Sequence, residues 1–405
     1  MSNKETTPDA GLHAAVVCNK PELIDALLAE GADVNARMTN PDEAVELNQV
    51  TALYMAARFG KIECLKRLLA AGADVNAADA HQTTPLHVVA YNNDLKKLSA
   101  KTQLECVQLL LAAGADVHLR NEPGDTPLHY AAQSGNAEVV RALLGAGSDA
   151  NSRDKEGYQP IHGAAFHGHM KIIRQLLAAG ADINSREGAG FTPLALATIY
   201  YGTAEDLREL IQLGADVNII TDEGTNLLHH AANSLSPWPE LEKKMEEVLK
   251  HGLDVNAVSR NGHTPLLSAA IRFFEKKAPF GCMELLVQAG ADVRVRHNNT
   301  SLLHVAAASG LPEMLSLLLK AGASATEADD NGNTPLAYAY LLSRKLRVPR
   351  ATRDNIISLL LAAAPELKKK LTTLKRRYWF NKLLNFILLL VVLRFLWLLL
   401  RALLS

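Results

Sequence analysis

The sequence predicts an all-α repeat solenoid with short β-hairpin fingers, followed by a C-terminal hydrophobic helix. Three observations predict it. A string of the TPLHxAA kind recurs along the chain, its spacing keeps returning to 33 residues, and a run of about 22 mostly apolar residues closes the sequence. The chain has 405 residues, 48% hydrophobic and 21% charged, with a formal net charge of -1. This balance is globular and argues against a general nucleic-acid binder, so no nucleic-acid partner is expected.

The repeated string reads TALYMAA at Thr51, TPLHVVA at Thr84, TPLHYAA at Thr126, QPIHGAA at Gln159 and TPLALAT at Thr192. It continues as NLLHHAA at Asn226, TPLLSAA at Thr264, SLLHVAA at Ser301 and TPLAYAY at Thr334, after a degenerate AGLHAAV at Ala10. A second element follows each copy, as in LLAAGADVNA, LLAAGADINS and LVQAGADVRV. Local chemistry makes each copy a helix pair. Thr84 caps the first helix, and Pro85 suits its first turn, where a missing N–H costs nothing. Leu86, Val89 and Ala90 form a narrow apolar face, while Cys106, Val107, Leu109 and Leu110 recur at helical spacing in the second helix. Gly114 then ends that helix in the left-handed region. One helix pair cannot bury both of its faces, so the copies must stack.

On these motifs the chain resembles the ankyrin-repeat family, with about ten repeats over roughly Asp9 to Pro365. The division expected is 1–8 as an N-terminal lead, 9–365 as the array, 366–382 as a basic helix or linker leading out, and 383–405 as a membrane segment. The resemblance implies helix–loop–helix repeats joined by fingers, a non-enzymatic protein-binding role and no cofactor. It also gives His87, His129 and His162 a structural place, hydrogen-bonded between repeats. The pair His167 and His169 could suggest a metal, but Gly168-His169 is the ordinary turn between the helices of a repeat. His229 and His230 read the same way, and no catalytic or metal residue is assigned. The four cysteines, Cys18, Cys64, Cys106 and Cys282, are far apart and read as free buried thiols; Cys64, Cys106 and Cys282 share one apolar repeat position, where core packing is expected.

In the resembled fold a concave surface is lined by the ends of the first helices and by the finger tips. The matching positions are Arg58, Phe59, Tyr91, Phe166, His167, Ile199, Tyr200, Ile271 and Arg272, with Tyr158, Phe191 and His263 at the fingers. Aromatic residues make up only 5% of the chain, and aromatic residues and arginine dominate binding hot spots. These positions are the expected protein-binding face. Insertions lengthen the repeats at NNDLKKLSAKTQ, SLSPWPELEKK and FFEKKAPFG, and a finger at RMTNPDEAVELNQ. Trp238, Phe273 and Phe274 are the aromatic candidates on the insertion edge.

From Leu383 to Leu404 every residue is apolar except Asn385, Arg394 and Arg401; Phe386, Leu393 and Trp397 are among the apolar ones. Such a helix would run ~33 Å, enough to cross a hydrocarbon core. Its aliphatic and aromatic residues favour insertion by about 5–10 kcal/mol in sum, against a cost of about 3 kcal/mol for Arg394 near the middle. Arg401 can snorkel to the far interface. Lys368, Lys369, Lys370, Lys375, Arg376, Arg377 and Lys382 precede the run without an intervening acid. That order favours repeats facing the cytosol. No basic stretch followed by an apolar run opens the chain, so no secretory signal is expected. Arg394 and Arg401 lie seven apart on one helical face, a docking face for a second membrane protein or another copy of the chain. The expected function is a protein-binding scaffold tethered to a lipid bilayer. The competing reading is a soluble inhibitor, immunity-type or effector protein whose tail is a partner-binding or oligomerisation helix.

Overall fold

The computed structural model describes residues 8–38, 49–91, 98–275, 279–297, 300–342 and 346–378. Leu383, Phe386, Leu393, Arg394, Trp397 and Arg401, and Lys382 of the basic flank, lie outside the described residues. Two compact units are formed, Met1–Leu253 and Asp254–Ser405.

In the first compact unit, α1 (Pro8–Val17), α3 (Ala52–Arg58), α5 (Pro85–Tyr91), α7 (Pro127–Ser134), α9 (Pro160–Phe166), α11 (Pro193–Ile199) and α13 (Leu227–Ala232) are the first helices of successive repeats. Each contacts the next, forming one layer. The second helices are α2 (Pro21–Ala29), α4 (Ile62–Ala70), α6 (Ala100–Ala112), α8 (Ala137–Gly145), α10 (Met170–Ala178), α12 (Ala204–Gln212) and α14 (Trp238–Leu249). They form the other layer, and Leu65, Cys106, Leu143, Ile173 and Leu210 are fully buried between the two. Cys64, Cys106 and Cys282 are buried as expected, whereas Cys18, also expected to be buried, is exposed, because it lies outside that repeat position.

The fingers differ from expectation. Strand pairing is present among the described residues only between Arg37–Met38 (β1) and Val50–Thr51 (β2), and between Arg296–His297 (β3) and Thr300–Ser301 (β4). Elsewhere a side chain supplies the bonds that a hairpin ladder would. Asp154 Oδ1 accepts from Glu156 N at 2.9 Å and Tyr158 N at 2.8 Å. Asp79 and Asp329 close their tips in the same way. Adjacent fingers then join through backbone, with Lys155 N donating to Pro123 O at 3.0 Å and Gly188 N to Glu156 O at 2.7 Å. A Cβ on Gly188 would sit 2.7 Å from that same carbonyl oxygen, which accounts for glycine there.

The GADVN element links repeats through its asparagine. Asn184 Oδ1 accepts from Asp216 N at 2.8 Å while its Nδ2 donates to Gly214 O at 3.1 Å. Asn151 and Asn256 make the equivalent pair of bonds to the repeats that follow them.

The second compact unit contains α15 (Pro265–Phe274), α16 (Gly281–Gln288), α17 (Leu302–Ser309), α18 (Pro312–Lys320), the short α19 (Pro335–Ala337), a π-helical turn at Tyr338–Leu342, and α20 (Arg350–Ala363). Residues 367–378 are helical too. They do not lead away from the array as expected. Leu367 and Leu371, one turn apart, are buried, and Tyr378 meets Tyr340 with ring centroids 6.0 Å apart. The apolar residues set four apart among the lysines give this helix a face to lay on the last repeat.

Candidate protein-docking surface

The TPLH histidines are structural locks. His87 Nε2 donates to Asp125 O at 3.1 Å, His129 Nε2 to Tyr158 O at 3.2 Å, His162 Nε2 to Ser185 O at 3.0 Å and His304 Nε2 to Asn333 O at 3.0 Å. A ring nitrogen facing a carbonyl must carry its proton, so Nδ1 is the acceptor. It receives Thr126 N at 3.0 Å in His129 and Gln159 N at 3.0 Å in His162. Each ring thus caps its own helix and reaches the next repeat. Burial pushes His87 and His129 down to about 4, and His162 and His304 in the same direction. They are held neutral, as hydrogen-bonding elements.

His169 lies at the N-cap of α10 and its Nε2 donates to Gln133 O at 3.2 Å, as the turn reading expects. His230 is buried beside Phe191, ring centroids 5.2 Å apart, and burial pushes it to about 3. Among the described residues no group of three or more His, Cys, Asp and Glu is arranged to hold a metal ion.

The positions expected to line one open face are mostly half-buried, and they do not form one patch. Tyr158 and Phe191 stand before the N-terminal ends of α9 and α11, whereas Phe166 and Tyr200 stand at the C-terminal ends. A seven-residue helix separates the two rows by about 10 Å. Tyr158 packs on His162, ring centroids 5.6 Å apart. Tyr91 is 36% exposed but meets Tyr130 of the next repeat edge-on at 5.0 Å. Arg58, Phe59, Ile199, His263, Ile271 and Arg272 are half-buried, and Ile271 and Arg272 lie within α15 rather than at its end. Phe273 and Phe274 complete α15, and Phe273 reaches Phe280 at 5.9 Å, so this pair is helix rather than loop. Trp238 opens α14 and is 54% exposed.

One group of rings does come together. Phe166 and Tyr200 stack between adjacent repeats with centroids 4.0 Å apart and planes 29° apart. His167 stacks on Tyr201 at 5.9 Å and on His169 at 5.6 Å. Tyr201 itself is 70% exposed. The sequence reading missed it, although Tyr200-Tyr201 is the only adjacent tyrosine pair in the chain. Leu235 N donates to Ile199 O at 2.7 Å and Ser236 Oγ to Tyr200 O at 2.9 Å, which ties the backbone of exposed Leu235 to that of Ile199 and Tyr200.

The insertion SLSPWPELEKK has a second consequence. It starts α14 early and places Lys244 in the core, with Nζ donating to the carbonyl oxygens of Ala197, Thr198 and Tyr200, each at 3.0 Å. This fully buried ammonium caps the carbonyl end of α11. Burial pushes it down to about 8, while Glu240 and Asp206 pull the other way.

The profile of ankyrin repeats in three copies matches residues 12–100, 95–187, 194–296 and 274–370. The chain is similar to glycerophosphocholine phosphodiesterase gde1 of Schizosaccharomyces pombe, 33% identical over 28% of this chain and 10% of that protein. It is similar to protein fem-1 homolog A of Danio rerio, 36% identical over 21% and 15% of the respective chains. It is also similar to human ankyrin repeat and SOCS box protein 16, 32% identical over 33% and 37%. The matches therefore span between about a tenth and two-fifths of these relatives. With the family profile covering most of its length in four successive blocks, the chain belongs to the ankyrin-repeat family.

Proposed function

We propose that this chain is a non-enzymatic protein-binding scaffold held at a bilayer by residues 383–405, with its repeats on the cytosolic side. Ankyrin repeats bind other proteins, and the observation that carries the choice of face is the ring cluster Phe166, His167, Tyr200 and Tyr201. Its rings are held by one another, so a partner closing over Tyr201 and Leu235 meets apolar surface already ordered. Within the cluster the roles divide. Phe166 and Tyr200 hold adjacent repeats together, and Tyr201 offers the contact.

Support for the tether comes from the sequence, where the apolar run follows a basic block directly. No helix among the described residues is long and apolar enough to cross a membrane, and the run itself lies outside them.

The test has two readouts. Under alkaline carbonate the full chain is expected to stay with membranes while a chain ending at Arg377 is released. Release of both rejects the tether. A photo-reactive residue in place of Tyr201 is expected to give a discrete protein adduct that one in place of the exposed Glu30 does not. The same adduct pattern at both positions rejects this docking face.

A further inference from the structure

Residues 344–382 contain twelve Lys and Arg against two acids, Asp354 and Glu366, a net of +10 in a chain whose total is -1. The fold gathers part of this charge. Arg350 and Arg353 of α20 and Lys368 and Lys375 of the helical stretch 367–378 line a single groove of about 810 Å³. Tyr340, Ile357, Leu361 and Leu371 give it apolar walls. Asp354 is the one acid in the lining, and it pairs with Arg350 at 3.5 Å.

Arg353, Lys368 and Lys375 have no acidic partner among the described residues. Elsewhere some arginines meet carboxylates directly, as in Arg174 with Glu209 at 2.5 Å, Arg208 with Glu247 at 2.9 Å and Arg296 with Glu327 at 2.5 Å, while Arg153 bonds the backbone carbonyls of Gly157 and Arg186. Three unpaired cations around apolar walls match a ligand that is anionic at one end and apolar at the other. Arginine supplies a fork that suits phosphate oxygens, and lysine a point charge. Position points the same way. Tyr378 is five residues from Leu383, so the apolar run begins within about 18 Å of the end of this helix.

We propose that this groove binds the headgroup of an anionic phospholipid, with Arg353, Lys368 and Lys375 on the phosphate and the apolar walls against the glycerol and first acyl carbons. The proposal rests on the bilayer reading above and adds which lipid the protein selects.

The experiment titrates the full chain in neutral detergent with dioctanoyl phosphatidylglycerol, dioctanoyl phosphatidylcholine and glycerol phosphate, following binding by thermophoresis. Phosphatidylglycerol is expected to bind saturably, at least tenfold tighter than either of the others. Each basic residue near an anionic lipid surface is worth roughly fivefold. Arg353→Gln/Lys375→Gln is therefore expected to lose tenfold or more in affinity for phosphatidylglycerol. Should that variant melt early, Lys368→Gln serves instead, because its side chain is exposed and its loss removes no packing. Equal binding of the two lipids, or unchanged affinity in the variants, overturns the proposal. Glycerol phosphate binding as tightly as the lipid also overturns it, by making a soluble phosphoester the ligand. Carbonate extraction of the same variants keeps the two readings apart. Neutralised variants are expected to resist extraction as the wild type does, whereas release of the wild type rejects the tether whatever the titration shows.

Discussion

Lowering the pH from 7.5 to 5.0 is expected to cost this protein about half of its stability, through histidines that the fold keeps neutral. His87, His129 and His230 are buried, and burial pushes them to about 4, 4 and 3 from an ordinary 6.5. Between those values and 6.5 the unfolded chain binds more protons than the folded one, so stability falls as the pH drops through that window. At pH 5.0 each ring has forfeited about 2 kcal/mol, or about 6 kcal/mol for the three. Two groups oppose them: exposed His81, which its hydrogen bond to Glu122 raises above the ordinary value, and Asp125. Burial raises Asp125 to about 6, so its protonation favours the folded state over the same range. Asp125 is half-exposed, and solvent screening limits its return to about 1 kcal/mol. The net loss is about 5 kcal/mol, against a total stability of about 5–15 kcal/mol for a folded domain. His162 and His304, lowered for the same reason, add to the loss. Urea unfolding of the full chain in a nonionic detergent, followed by far-UV circular dichroism at pH 7.5, 6.5 and 5.0, measures it. Equal stability at pH 7.5 and 5.0 would refute the reading of these rings as neutral locks. A loss confined to below pH 4 would refute it too. It would trace acid sensitivity to paired carboxylates such as Glu209 and Glu247, which Arg174 and Arg208 hold below the usual range.

Two further outcomes follow from single side chains. Lys244→Met leaves the Ala197, Thr198 and Tyr200 carbonyls without their donor and is expected to lower stability by about 2 kcal/mol at pH 7.5, read by urea unfolding. In the wild type the lowered Lys244 ammonium makes stability rise between about pH 8 and 10.5, because the unfolded chain then binds the extra proton; the variant is expected to lack that rise. Asn184→Ala removes two bonds to the following repeat and is expected to cost about 1–2 kcal/mol. Hydrogen exchange is expected to quicken around residues 210–216, and unchanged protection there would show that the link carries no weight.

The sequence by itself determined the repeat and its local chemistry. Threonine, proline and histidine at fixed offsets start a helix, and glycine ends the next one wherever it occurs. Asn151, Asn184 and Asn256 meet the same backbone groups in the copy that follows each, because the copies share one geometry. These are interactions over a few residues or between equivalent positions, so the period carries them. What the tertiary structure alone decided is how individual side chains divide between groove and solvent. Phe166, Tyr200 and Tyr201 are near neighbours of one type, yet two are spent holding repeats together and only Tyr201 remains open. Lys244 reads as a surface lysine in ELEKKMEE until α14 is laid against the end of α11. Arg350 and Arg353 join Lys368 and Lys375 only because the helix at 367–378 folds back on Leu367 and Leu371. In each case the deciding contact comes from a separate element whose register follows from packing, and side-chain spacing along one helix does not encode it.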